Sequence, residues 1–134
     1  MERTLREQVR QRANLCCEYC QMPQAFAEPT HEIDHVIAEQ HRGSTTLANL
    51  ALACFHCNNH KGPNIAGIDP EADELCRLYH PRLDRWEEHF AWNRSRLVGL
   101  TAIGRTTVEV LAINSRHRLA HRQALIEEGV FPIR

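Results

Sequence analysis

Two cysteine pairs, Cys17-Glu-Tyr-Cys20 and Cys54-Phe-His-Cys57, constrain this chain more than any other feature of its sequence. Each pair sets two sulfurs on one tight turn, and two such turns supply the four thiolates that tetrahedral zinc accepts. The competing use of a Cys-x-x-Cys pair, thiol–disulfide exchange, needs one pair and a βαβ pattern that this sequence lacks. The four cysteines are therefore assigned to a structural zinc site. Such a site staples segments that could not hold a core alone, because the free energy of binding the metal is also free energy of folding. Cys16 could replace Cys17 only in a shifted register and is read as an unliganded thiol. Cys76, among Leu75, Leu78 and Tyr79, is read as a small buried hydrophobe.

A chain of 134 residues is expected to form one domain spanning 1–134. Its longest apolar run, Leu50 to Phe55, is far too short to span a bilayer, and the start Met-Glu-Arg-Thr has no apolar leader, so a cytoplasmic protein without a membrane partner is expected. The formal net charge of −1 excludes nucleic-acid binding by bulk charge. A local patch is a different matter: residues 92–122 carry Arg94, Arg96, Arg105, Arg116, Arg118 and Arg122 against the single acid Glu109. Arginine suits bidentate phosphate contact, and this stretch is the candidate patch; the bias toward arginine is equally open to a compositional origin.

Thr4-Leu-Arg-Glu7 reads as a capping box opening a helix over 5–13, with Leu5, Val9 and Ala13 on one face. Thr30 to Ile37 and Leu50 to Ala53 read as strands, and Asn58 to Lys61 as a short helix stopped by Gly62-Pro63. This order is a ββα unit. Further on, Leu75 to Tyr79 is read as a strand, and Leu83, Trp86 and Phe90 as buried anchors. Thr106-Thr-Val-Glu109 is read as a second capping box for a helix reaching Asn114, and Ser115 as the cap of a last helix that turns Leu119, Ala120 and Ile126 inward and stops at Gly129.

Between the cysteine pairs lie 33 residues, more than the roughly 15–20 of a plain zinc ribbon. The insert carries Asp34-His35 and Asn49, and Asn58 follows the second pair directly. The framework Cys-x-x-Cys, Glu-Ile-Asp-His-Val-Ile, Ala-Asn-Leu, Cys-x-x-Cys-Asn-x-x-Lys-Gly resembles the HNH endonucleases of the ββα-metal superfamily. In its Asp-His-Asn set it is similar to phage endonucleases that resolve branched DNA. His80-Pro-Arg-x-x-Arg-Trp-x-Glu-His-Phe90 and Gly99 to Val108 resemble the C-terminal extension of bacterial, often cyanobacterial, HNH proteins. The resemblance implies an α+β fold: a zinc-stapled ββα-metal core at about 15–62, an N-terminal helix, and a mainly helical C-terminal extension at about 63–134 packed on it.

The residues also carry their own chemistry. Hydrolysis of a phosphodiester needs a deprotonated water, charge stabilisation in the transition state and help for the leaving oxygen. His35 suits the first task as a general base, since an imidazole takes a proton near neutral pH once a neighbour fixes its tautomer. Asp34 and the Asn58 amide oxygen are hard ligands for catalytic Mg2+ or Mn2+. Because adjacent residues of a regular strand point to opposite faces, Asp34 and His35 can share a site only if the strand twists or ends there. By resemblance, Asn49 ties the loop across the strand ends and positions His35. Arg42, His60 and Lys61 are read as contacts to flanking phosphates, and Glu32 as a residue that either orients a ligand or forms a surface ion pair. Where many relatives have a proline, a Gly-Gly pair and a histidine, this chain has Ala38, Arg42-Gly43-Ser44 and Asn58. Two functions follow: a metal-dependent endonuclease acting on DNA, with RNA also open, or a non-catalytic zinc-stapled nucleic-acid-binding module.

Overall fold

The computed structural model describes residues 3–133. Helix α1 (Leu5–Arg12) starts where the capping box places it, with the Thr4 hydroxyl accepting from the Glu7 amide at 3.1 Å. Its Val9 is fully buried against Leu50 and Leu52, with Leu5, Ala13, Ile33 and Leu47 around them. The predicted apolar face is thus the one that packs.

Strands β1 (Glu32–His35) and β2 (Leu50–Ala53) pair antiparallel, with Asp34 opposite Ala51 and His35 opposite Leu50. All four β2 residues are buried, so the continuous apolar run Leu50 to Ala53 is explained by cover on both faces. Helix α2 (Phe55–Lys61) follows at once and completes the ββα unit. It begins three residues before the sequence reading put it, because Cys54 itself is the N-cap: its sulfur accepts from the Cys57 amide at 3.4 Å. Gly62 ends it with φ of +50°, a conformation that other residues adopt at a cost.

The extension holds helices α3 (Trp86–His89), α4 (Ala102–Val110) and α5 (Arg116–Glu127), and two hairpins: β3 (Ala66–Ile68) with β4 (Leu75–Arg77), the latter within the strand read over Leu75 to Tyr79, and β5 (Phe90–Asn93) with β6 (Arg96–Gly99), which the sequence did not disclose. One buried apolar cluster draws on both parts of the chain, from Tyr19, Met22 and Val36 to Leu78, Phe90, Leu111 and Phe131. Polar contacts add to it: the Trp86 indole donates to the Tyr19 carbonyl at 2.9 Å, and the Trp92 indole to Gln21 Oε1 at 3.0 Å. The family-like tail therefore grips the first cysteine turn. Among the described residues no helix is long and apolar enough to cross a membrane.

Several readings of the extension are corrected. Thr106 does not cap a helix; α4 starts earlier, with Thr101 accepting from the Gly104 amide at 3.1 Å, and Thr106 and Thr107 are wholly buried inside it. Gly104 permits that start, since a Cβ there would lie 2.1 Å from the His89 carbonyl oxygen. Leu83 is 77% exposed, because its turn is organised by Asp84, which accepts from the His80 amide and from Arg77. In α5 the buried positions are Arg118, Arg122 and Leu125, while Ala120 is exposed and Leu119 and Ile126 are half-buried. Cys76 is only half-buried on β4. The arginine patch is reduced by half: Arg118 and Arg122 face inward and Arg105 is paired with Asp69, while Arg94, Arg96 and Arg116 stay exposed.

The Arg105 guanidinium donates to both oxygens of buried Asp69, at 3.0 and 2.8 Å, and these bonds hold the Asp69 carboxyl down at about 2. A depressed carboxyl stabilises the fold above its ordinary range and loses that contribution only as pH falls from about 4 toward its folded value. Asp69→Asn is therefore expected to lower the denaturant midpoint by the same amount at pH 8 and pH 6. A gap that closes between those two values would show the pair to be otherwise coupled.

Candidate functional site

The four sulfurs of Cys17, Cys20, Cys54 and Cys57 are buried and lie within 4.8 Å of one another. A tetrahedral zinc with Zn–S bonds of about 2.3 Å needs sulfurs roughly 3.8 Å apart. Cys20 and Cys54, from different turns, stand at 3.7 Å. Donor type, burial and spacing all fit zinc. The first turn is also locked to β2, since the Glu18 amide donates to the Leu52 carbonyl at 2.8 Å and Glu18 Oε2 accepts from the Leu52 amide at 2.8 Å. Arg118 reaches in from α5 and donates to Cys57 Sγ at 3.0 Å. Four thiolates around a divalent ion carry net negative charge, and a buried guanidinium offsets it. Nothing in the sequence pointed to Arg118, whose helical neighbours Asn114, Ser115, His121 and Arg122 are polar or charged.

The second centre is the end of β1. Asp34 and His35, the last two residues of that strand, both line one open groove of about 300 Å3 with Asn58 and Gly62. His35 is half-buried, and its Nε2 lies 2.9 Å from the Thr45 hydroxyl. Asn49 bonds across the loop: its Oδ1 accepts from the Ile37 amide and its Nδ2 donates to the Ile37 and Ser44 carbonyls, each at 2.9 Å. It makes no direct bond to His35; it holds Ser44, and the neighbouring Thr45 meets the ring. Gly43 is indispensable in that loop, since a Cβ there would fall 1.7 Å from the Ile37 carbonyl oxygen.

Asp34 faces inward, 5% exposed. Tyr19 donates its hydroxyl to Oδ2 at 2.7 Å, and the Lys61 ammonium stands 3.3 Å from Oδ1 and 3.1 Å from the His35 carbonyl. Burial raises the Asp34 carboxyl above its usual range, outweighing the pull of Lys61 and of the Tyr19 hydrogen bond. Lys61 is corrected accordingly: at 1% exposure it is no surface contact for phosphate but the buried counter-ion of Asp34. Arg42 and His60 are exposed. Glu32 accepts from the Asn58 amide nitrogen, so the carboxylate orients the asparagine, one of its two sequence readings. Tyr19 and Thr45 were missed, the first because it lies inside a cysteine turn, the second because only the folded loop brings it to His35.

Removing one partner of a buried pair leaves the other charge uncompensated, at a cost of about 3–5 kcal/mol. Lys61→Met is expected to destabilise the fold on that scale by denaturant unfolding, and Asp34→Asn combined with Lys61→Met to recover most of the loss. Additive losses in the double variant would refute the coupling.

Residues 17–64 match the family model described as HNH endonuclease. The chain is also similar to Septu protein PtuB of Bacillus thuringiensis, with 26% identity over 116 residues that cover 85% of this chain and 42% of that protein. It thus spans less than half the length of this relative. No solved structure matches.

Proposed function

We propose, for a chain whose residues 17–64 form an HNH endonuclease domain, metal-dependent hydrolysis of DNA phosphodiester bonds in the groove at the end of β1. The observation that carries this reading is the convergence of Asp34, His35 and Asn58 on one open groove. The Thr45 hydroxyl engages His35 Nε2 and leaves Nδ1 to take the proton of a water. The water oxygen attacks phosphorus, the bond to the 3′ oxygen breaks, and that oxygen picks up a proton from solvent, giving 5′-phosphate and 3′-hydroxyl ends. Asp34 and the Asn58 amide oxygen are the residues that would hold Mg2+ or Mn2+, an all-oxygen donor set suited to a hard cation. Bound there, the ion supplies Lewis-acid stabilisation of the phosphate charge. Glu32 takes up the amide nitrogen of Asn58, which commits the oxygen to the ligand role. A carboxylate has about four lone-pair sites, so Tyr19 and Lys61 leave Asp34 capacity for a cation. Exposed Arg42 and His60 are the candidate phosphate contacts.

One observation favours the other reading, a zinc-stapled binding module without catalysis: both Asp34 oxygens already have protein partners. The two are separated by incubating zinc-loaded protein with supercoiled plasmid, with and without added Mg2+ or Mn2+. Nicked product that depends on the added ion supports the nuclease. Protein that binds plasmid, branched DNA and RNA yet cuts none of them with either ion overturns it.

A further inference from the structure

A cavity of about 130 Å3 adjoins the cysteine tetrad and shares no lining residue with the His35 groove, and histidines from two helices line it. His56 of α2 and His117 of α5 meet with ring centroids 4.9 Å apart, and His121 lines the same cavity. His117 and His121 are four residues apart on α5, so their rings lie one above the other on one helical face, the spacing with which helices chelate metals. Glu28 adds a carboxylate to the lining. The guanidiniums beneath are committed elsewhere. Arg118 donates to Cys57 Sγ and to the Leu111 carbonyl, and Arg122 to the Ser95 and Ile113 carbonyls. No function described above uses these three imidazoles.

We propose that His56, His117 and His121 form a second metal site, separate from the cysteine tetrad and from the Asp34 groove, that takes a borderline transition ion such as Zn2+ or Ni2+. Imidazole donors select these ions over Mg2+, which demands oxygen ligands. Three imidazoles and the Glu28 carboxylate make a four-ligand set of the kind zinc accepts. Among the described residues only the four cysteines already hold their donor atoms within 4.8 Å of one another. The histidine site therefore closes by ring rotation on binding, which exposed His117 and His121 permit. Closure would clamp α5 of the extension onto α2 of the ββα unit.

The test titrates full-length protein, its tetrad already filled with zinc, with Ni2+, following stoichiometry by equilibrium dialysis and ligand type by absorption. The expected result is about one further equivalent bound at about 10 μM or tighter, without zinc release and without a thiolate charge-transfer band. That equivalent is expected to vanish in His117→Ala/His121→Ala, whose zinc content and unfolding midpoint stay those of the parent because both side chains are exposed. A mutually independent pair of histidines binds only weakly, so saturation in the millimolar range overturns the site. So does a second equivalent that survives in the double variant, or Ni2+ uptake that expels zinc and brings up the thiolate band.

Discussion

Cys57→Ser is expected to cost this protein its fold, not merely its metal. Structural zinc contributes about 10–16 kcal/mol to small domains at neutral pH, as much as the whole net stability of an ordinary domain, about 5–15 kcal/mol. Here the tetrad joins the first cysteine turn to the start of α2, and Arg118 carries α5 onto the same sulfurs. Loss of one ligand thus releases three segments at once and leaves a buried guanidinium without its counter-charge. The measurement is zinc content beside unfolding by circular dichroism, with Cys16→Ser and Cys76→Ser as controls that retain both zinc and a cooperative transition, since neither belongs to the tetrad. A Cys57→Ser protein that still unfolds cooperatively at the parent midpoint would show that the apolar cluster, not the metal, holds the chain together.

Next in size is the loss of cleavage in His35→Ala. General-base catalysis by a positioned side chain is worth about 10²–10⁴-fold, and the plasmid-nicking rate is expected to drop within that range. The ring is half-buried and bonds the Thr45 hydroxyl on the surface loop, so the variant should keep zinc and the parent unfolding midpoint. Thr45→Val should slow nicking less, because it frees the ring orientation without removing the base. Rates for His35→Ala equal to the parent rate would remove His35 from the mechanism and with it the proposed role of the groove.

Local pattern carried a great deal. The Thr4 cap, the apolar run of β2 and the two turns of the cysteine pairs could be read in one dimension, because each depends on neighbours a few residues away, and the resemblance to HNH endonucleases singled out Asp34, His35, Asn49 and Asn58. The ββα unit is short-range by nature: two strands, a loop pinned by one asparagine, and a helix that starts at a cysteine. What failed were inferences from a pattern that has more than one use. Thr106 to Glu109 has the form of a capping box, yet the helix begins at Thr101, where Gly104 lets the backbone approach His89. Read in sequence, His117 and His121 show no spacing that implies a ligand role, because His56, whose ring meets that of His117, stands 61 residues before it.

By itself the sequence determined the cysteine tetrad and the ββα unit and named the candidates for phosphodiester chemistry, since ligand spacing and chemical type are written in adjacent letters. Only the tertiary structure decided what each charged side chain is for. Lys61 and Arg118 are both cations that composition would send to a phosphate; burial instead pairs one with Asp34 and the other with the cysteine sulfurs. A charge taken out of water must find a partner, and which partner is within reach depends on contacts that no local pattern encodes.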